Sequence, residues 1–177
     1  MPYLEIPESR FSPNLVSMLV TVAHIGSKAA KSGEKAPYAA LTRLYLERMS
    51  AYHPNQTEVF ASEAALLAWL GRPGARAGRT PIVPVLLDGS RGRALTSPEF
   101  AAWFGARRDQ GAQHLLFAIG PADGWSQTSI DVARSSGGLV LSFGPITMAH
   151  DLARLVLAEQ LYRACTILAG HPYHTGH

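Results

Sequence analysis

Three short, continuously apolar runs constrain the fold of this 177-residue chain more than any other feature. They are Pro81–Leu87, Leu115–Ile119 and Leu139–Phe143, each of strand length and each followed closely by glycine or proline. A strand that is apolar along its whole length is buried on both faces, which is typical of parallel sheets covered by helices. Further strands are predicted at Val16–Ile25 and Thr57–Ala61. Because segments with helical spacing separate these strands, the sequence predicts an α/β fold with a mostly parallel sheet.

Helix signals lie between the predicted strands. Helices are predicted from Pro37, after Ser62, after Thr96, through Ile130 and over Asp151–Ala169. Thr96 and Glu99 form a capping box, in which each side chain satisfies a backbone amide at the start of the helix. In the first helix, apolar residues that include Leu41 and Leu44 recur at helical spacing and are expected to face the core.

The last predicted helix has little polar surface. Its polar residues are Asp151, Arg154, Glu159, Arg163 and Thr166. A surface helix ordinarily has a wider polar face, so we expect this helix to be covered on most sides. Two arrangements satisfy that expectation. The helix is either a central core helix, or it packs its own sheet on one side and a second subunit on the other.

The composition indicates a single globular domain, since 47% of residues are hydrophobic and 16% are charged. Residues 1–14, which contain prolines and no periodicity, are predicted to be an N-terminal extension to one domain over 15–177, with a tail over 170–177.

The single cysteine, Cys165, is expected in the core. A single cysteine excludes an internal disulfide and favours a cytoplasmic location. The apolar run Leu15–Ile25 is too short to span a bilayer, so no membrane association is expected. A net charge of +3 permits an RNA partner without requiring one.

The loops after the three apolar runs are the first candidate site. They are Leu87–Gly89, Gly120–Gly124 and Gly144–Met148, all rich in small or cyclic residues. In open α/β sheets, ligands bind outside the carboxyl ends of the strands. Three such loops at one edge would suit a flat, polar cofactor such as an adenosine, although glycine and proline also simply punctuate strand ends. The chain has no GxGxxG or Walker loop, so a classical dinucleotide or triphosphate site is not supported.

Histidines supply the second set of candidates. The tail Gly170–His177 contains three of them and a tyrosine, and such groups exchange or share protons near neutral pH. No carboxylate lies nearby, so a metal site is not expected. Of the other histidines, His24 is predicted to lie in a core strand, and His53 and His114 at the surface. His150 is predicted to cap or pack at the start of the last helix.

Two motifs in the final third of the chain carry a resemblance to a known family. Ile146–His150, continuing to Ala158–Ala164, and the terminal His171–His174 resemble the cofactor loop, last helix and terminal signature of the RlmH family of SPOUT methyltransferases. Members of that family methylate N3 of a pseudouridine in 23S ribosomal RNA. The looser match of the first strand and of the Tyr45 helix extends the resemblance over roughly residues 15–175. The resemblance implies a SPOUT-type α/β knot with a C-terminal trefoil knot, a homodimer, and S-adenosyl-L-methionine as cofactor.

The resemblance also implies residue roles. The residues that would surround the cofactor are Leu87, Gly120, Pro121, Phe143, Gly144, Pro145, Ile146, Thr147 and Met148. His174 or Tyr173 would assist removal of the proton from the base nitrogen, and Arg163 or Arg154 would stabilise the resulting negative charge. The tail of one subunit would reach toward the cofactor of its partner. The residues expected to contact RNA are His171, Arg72, Arg76 and Arg79.

Two departures from the family pattern leave alternative functions open. Pro121 stands where the family usually has a second glycine, and Thr175 stands where a basic residue is usual. The main interpretation remains an enzyme that modifies 23S ribosomal RNA in the large subunit or the assembled ribosome. The alternatives are a knotted, dimeric RNA-binding protein without methyl transfer, and a SPOUT enzyme with another RNA substrate.

Overall fold

A parallel sheet with helices on both faces forms the core of the computed structural model, which describes residues 18–26, 36–72, 82–121 and 123–174. The strands are β1 Leu19–Ile25, β2 Asn55–Phe60, β3 Val83–Leu87, β4 Arg93–Ala94, β5 His114–Ile119 and β6 Leu139–Ser142. The helices are α1 Ala36–Met49, α2 Glu63–Leu70, α3 Ser97–Asp109, α4 Gln127–Ser135 and α5 His150–Leu168, followed by a 3₁₀ turn at Pro172–His174. The α/β fold predicted from the sequence is confirmed.

The sheet has the order β2-β1-β5-β3-β6-β4, and every pair is parallel. The three apolar runs become β5, β3 and β6, which are neighbours although they are not in chain order. Flanked by strands and covered by helices, they have no face toward water. The two-residue strand β4, which pairs with β6, was not predicted because so short a segment has no periodicity of its own.

Alternating side chains of the central strands build two cores. On one face, Val85 and Phe117 pack with residues of α1, α3 and α5, such as Phe104 and Leu157. On the other face, residues of β3, β5 and β6 pack with α2 and α4; Ile130 of α4 is 1% exposed. The period of two along a strand sends successive residues to opposite faces, so β1, β3, β5 and β6 each contribute to both cores.

The last helix, α5, lies between α1 and α3 on one face of the sheet. Every residue from His150 to Ile167 is at least partly buried, and Leu161 is completely so. The helices α1 and α3 of its own chain cover part of α5, and most of its residues are only partly buried, so both predicted arrangements stay predictions. The expectation for α1 was partly wrong. Leu41 and Leu44 are 43% and 38% exposed, because Thr42, Leu46 and Met49 occupy the inward face instead.

Two expectations about histidines were also wrong. His53 is 8% exposed and packs edge-to-face against Phe104, with ring centroids 5.3 Å apart. His114 is partly buried, with Nε2 2.8 Å from the Thr21 hydroxyl. Both side chains lie at the amino-terminal edge of the sheet, where aromatic side chains from helices pack against them, Phe104 of α3 on His53 and Trp69 of α2 on His114. Cys165 is buried as predicted, and burial raises the pKa of its thiol to about 12.

Several predictions fall outside the described residues or stay untested by the fold. The N-terminal extension, Arg76, Arg79 and Thr175 lie outside the described ranges. Strand order does not distinguish a knotted path from an unknotted one, so the trefoil knot stays a prediction, as does the division of the chain at residue 15. Among the described segments, no helix combines the length and apolar character needed to cross a membrane.

Candidate cofactor site

A cavity of about 790 Å³ opens at the carboxyl ends of β3, β5 and β6. Its volume lies within the range of roughly 300–1,000 Å³ that is usual for small-molecule sites. The position follows from the fold. Parallel strands end at the same edge of the sheet, and these three are neighbours, so the loops that follow them converge on one space.

All of the residues predicted to hold a cofactor line this cavity. They are Leu87, Gly120, Pro121, Phe143, Gly144, Pro145, Ile146, Thr147 and Met148. The cavity also has lining residues that sequence reasoning did not assign, among them Asp88, Ser90, Asp123, His150 and Ala153. Asp88 and Asp123 belong to the loops already singled out, and Ser90 directly follows the first of these loops, so their positions offered a signal. His150 ends the Ile146–His150 motif, which offered a signal. Ala153 lies on the first turn of α5, and its approach to the cavity depends on packing that left no local signal.

Trp125 packs against the loop after β5 and explains why residue 120 is glycine. The indole Nε1 of Trp125 donates to the carbonyl of Leu87 at 2.9 Å, and the side chain is 3% exposed. A Cβ at position 120 would lie 2.8 Å from the indole ring, closer than van der Waals contact allows. Gly120 therefore lets the loop after β5 pack against the end of β3.

Asp88 holds the loop after β3 in place. Its Oδ1 accepts from the backbone amides of Ser90 and Arg91 at 3.0 and 2.9 Å, and its Oδ2 accepts from the Arg91 guanidinium at 2.7 Å. Burial acts to raise the pKa of this carboxyl, but the hydrogen bonds from Arg91 and Ser90 outweigh it and lower the pKa to about 2. Arg91 also donates to the carbonyl of Trp125, which ties the loops after β3 and β5 together. Asp88 is thus a fixed negative charge at the cavity wall.

Ser142 and Gly144 shape the loop after β6. The Ser142 hydroxyl accepts from the amide of Gly144 at 3.0 Å and lies 3.3 Å from the carbonyl of Gly89. Gly144 has a φ of +102°, which residues with a Cβ rarely adopt. The loop then runs along the cavity to Ile146, which is 74% exposed.

Proline stands at position 121, where the family that the sequence resembles usually has a second glycine. Pro121 lines the cavity, and its carbonyl accepts from the amide of Gly124 at 3.0 Å. Gly124 has a φ of +81°, so a glycine still provides the left-handed residue that this turn requires. Proline removes a donor amide at position 121, but the loop keeps its place in the wall.

The residues predicted to be catalytic do not line the cavity of their own chain. Arg163 and Tyr173 lie together on the distal half of α5 and the following turn, where both contact Glu159. Arg163 Nε donates to Glu159 Oε1 at 2.9 Å, and the Tyr173 hydroxyl donates to the same oxygen at 3.0 Å. The Arg163 guanidinium lies 4.9 Å from the centre of the Tyr173 ring. Arg154 is separate, with its Nη1 3.9 Å from Asp151 Oδ1 near the start of α5.

The surroundings of the tail distinguish its two proposed proton acceptors. Burial, a hydrogen bond with Tyr45 and the nearby Glu159 raise the pKa of Tyr173. The phenol therefore keeps its proton at neutral pH and acts as a donor. His174 Nδ1 is buried and has no hydrogen-bond partner among the described residues.

Of the residues predicted to contact RNA, the structure describes Arg72 and His171, and these two lie on different parts of the molecule. Arg72 is exposed just after α2, on the opposite face of the sheet from the tail. His171 is partly buried, and its Nδ1 accepts from the amide of Tyr173 at 3.1 Å. This hydrogen bond orders the start of the tail, so His171 has a structural role besides any contact with RNA.

Comparison with known proteins relates the sequence of this chain to one protein family. Residues 18–174 match the family model described as predicted SPOUT methyltransferase. The ribosomal RNA large subunit methyltransferase H of Koribacter versatilis is 50% identical over 137 residues, which cover 77% of this chain and 88% of that relative. The protein of the same name from Agrobacterium fabrum is 52% identical over 92 residues, covering 52% of this chain and 54% of the relative.

A solved structure shares the fold. The crystal structure of a probable rRNA-methyltransferase from Porphyromonas gingivalis superposes with a TM-score of 0.50 at 14% identity, covering 86% of this chain and 70% of the other. At this level of identity the likeness concerns the fold alone.

Proposed function

Because the chain belongs to the SPOUT methyltransferase family, we propose that it transfers a methyl group from S-adenosyl-L-methionine to N3 of a pseudouridine in 23S ribosomal RNA. One observation carries the proposal: every residue that the family resemblance assigns to the cofactor lines one cavity. The Koribacter versatilis relative, named a large subunit methyltransferase, supports the large ribosomal subunit as the source of the RNA. We place the activity in the cytoplasm, with ribosomes as the partner.

The chemistry of the cavity fits this cofactor. Its lining includes the apolar side chains of Leu87, Leu141 and Phe143, suited to an adenine ring, and the carboxylates of Asp88 and Asp123. Among the described lining residues there is no lysine or arginine. A polyphosphate would need such cations, whereas a ligand that carries a sulfonium and an ammonium group is compatible with their absence. We therefore assign the site to the adenosyl cofactor.

The reaction requires little covalent chemistry from the protein. When bound, S-adenosyl-L-methionine supplies a methyl group on a sulfonium, already a strong electrophile. The task left to the protein is to hold the acceptor nitrogen in line and to remove its proton. We assign proton acceptance to His174, and stabilisation of the charge that develops on the base to Arg154 or Arg163. Tyr173 is assigned to positioning, because its raised pKa keeps it protonated.

In a homodimer, the cavity of one subunit and the tail of the other would together form the proposed site. The cavity lies at the start of α5, whereas Tyr173 and Arg163 lie near its end and do not line that cavity. We propose that a two-fold dimer brings the tail of one subunit to the cavity of its partner. The exposed Leu41 and Leu44 on α1 support an apolar interface next to α5.

Methyl transfer from labelled S-adenosyl-L-methionine to ribosomes that lack the pseudouridine methylation tests the proposal. We expect incorporation that maps to N3 of that base. Incorporation elsewhere, or into another RNA only, would establish a different substrate. Cofactor binding without incorporation into any RNA would favour the non-catalytic alternative. The loop geometry at Pro121 gives no support to that alternative, since the residue remains part of the cavity wall.

A further inference from the structure

A pair of histidines from distant parts of the chain meets at the edge of the cavity. The rings of His24 and His150 lie edge-to-face, with centroids 5.3 Å apart and planes at 68°. His24 is on β1 and pairs in register with Ile119 of β5, a residue of the cavity lining. His24 is two positions after Val22 and therefore lies on the same sheet face, which α5 covers.

His150 is the member of the pair that reaches the cavity. It is the first residue of α5 and belongs to the cavity lining, whereas His24 does not. The residue before it, Ala149, makes no side-chain cap, although caps at Ser62, Thr96 and Ser126 begin other helices. Without a cap, the first turn of α5 depends on tertiary contacts, and the ring of His24 is one of them.

The charges around His24 explain how it supports its neighbour without acting as a cation. Burial, followed by the nearby Arg154 and His150, lowers the pKa of His24 to about 4, and Asp151 opposes this only in part. These three groups lie on α5. The sheet neighbours in register with His24 are the uncharged Val59 and Ile119. His24 is therefore an uncharged aromatic ring at neutral pH, compatible with a cationic ligand close by.

We propose that His150 is a further ligand-binding residue of this cavity and that His24 is the positioning residue that holds its ring in place. The inference rests on the proposed function, since the ligand is the cationic adenosyl cofactor. His150 contributes a hydrogen-bonding imidazole at the helical end of a site otherwise formed by the three strand loops. His24 acts through the edge-to-face ring contact and not through hydrogen bonding or charge.

A double-mutant cycle with S-adenosyl-L-methionine as the titrant tests this inference. The variants are His24→Ala, His24→Phe, His150→Ala and His24→Ala with His150→Ala, each measured by calorimetric titration. An edge-to-face pair contributes enough that we expect His24→Ala to weaken binding about two- to tenfold. His24→Phe keeps a ring in place and should bind almost as the wild type does. In the His150→Ala background, His24→Ala should have no further effect.

A matched control separates positioning from general stability. His114→Ala removes another partly buried strand histidine, at the opposite end of the sheet from the cavity. It should lower the melting temperature without changing cofactor affinity. Additive effects of the two substitutions, or a His24→Phe variant as weak as His24→Ala, would overturn the positioning role. A His150→Ala protein that binds like the wild type would overturn the binding role. Failure of the wild type itself to bind would overturn the proposed function and this inference together.

Discussion

The indole of Trp125 donates a hydrogen bond to the carbonyl of Leu87 at 2.9 Å and joins the loop after β5 to the end of β3. The contact spans 38 positions of sequence. Arg91 reinforces it, since its guanidinium contacts both Asp88 and the carbonyl of Trp125. Trp125 and Arg91 thus brace the loops that form the cavity wall, and of these three side chains only Asp88 lines the cavity.

Gly120→Ala should damage this wall. The added Cβ would lie 2.8 Å from the indole and displace Trp125. Such overpacking costs about 1–3 kcal/mol, which lowers the melting temperature of a domain of this size by roughly 2–12 °C. Cofactor affinity should fall as well. Gly89→Ala is the matched control for stability, because a Cβ there meets nothing within 4 Å. Equal melting temperatures for the two variants would contradict the packing argument.

Glu159→Gln should loosen the tail while leaving the domain folded. The carboxylate accepts hydrogen bonds from both Arg163 and Tyr173, and the neutral amide retains its shape without its charge. Displacement of the tail by about an ångström would lower methyl transfer roughly 10- to 100-fold. Turnover and cofactor affinity should be measured together, and only turnover should change. The exposed Glu47→Gln on α1 is the control; an unchanged rate in Glu159→Gln would show that tail order does not limit the reaction.

His174→Ala should abolish turnover without affecting folding or dimerisation. The residue lies in the 3₁₀ turn after α5, outside the two buried cores. Loss of a proton acceptor typically costs a factor of about 10²–10⁴ in rate. Single-turnover methyl transfer measures this loss, and circular dichroism checks the fold. Wild-type activity in the variant would remove the tail from the mechanism.

Leu41→Glu combined with Leu44→Glu should produce a monomer. Both leucines are exposed on the same side of α1, and burying two carboxylates in an apolar interface is strongly unfavourable. Analytical ultracentrifugation at micromolar concentration reports the change. Thr128→Glu, at an exposed position on α4 across the sheet, is the matched control and should remain a dimer. If the wild-type protein sediments as a monomer, the proposed dimer is excluded.

The folded protein should lose stability as the pH falls from about 6.5 toward 4. Burial lowers the pKa values of His24, His53 and His114 in the folded state, and that of His24 to about 4. The unfolded chain, with histidine pKa values near 6.5, then binds more protons, so the free energy of unfolding decreases with decreasing pH. Asp88, with a pKa of about 2, contributes to the loss of stability only at lower pH. Urea unfolding between pH 7.5 and 4.5 measures the slope, which His24→Phe should reduce; a flat profile would contradict the assignment.

The elements and the cofactor loops could be predicted because their signals are local. Apolar runs of strand length, the capping box at Thr96 and glycines after strands each depend on residues within a few positions. The residues Phe143–Met148 were assigned through a motif that is contiguous in the chain, and all of them line the cavity. A contiguous motif thus located the cavity, and cofactor binding by these residues stays a prediction.

Other features depend on contacts between residues far apart in the chain, and only the tertiary structure decided them. Leu41 fits an apolar helical stripe, yet it is exposed because α1 presents Leu46 and Met49 to α5 and the sheet. His53 is buried because α3 covers it.

The sequence by itself determined that this chain forms buried parallel strands ending in loops rich in glycine and proline, because side-chain period and turn chemistry are properties of short segments. The tertiary structure decided which strands are neighbours, and hence that β5, β3 and β6 share one cavity. It also decided that His24 meets His150. Such contacts arise from the packing of whole elements, where many weak, non-directional interactions select one arrangement that no short segment encodes.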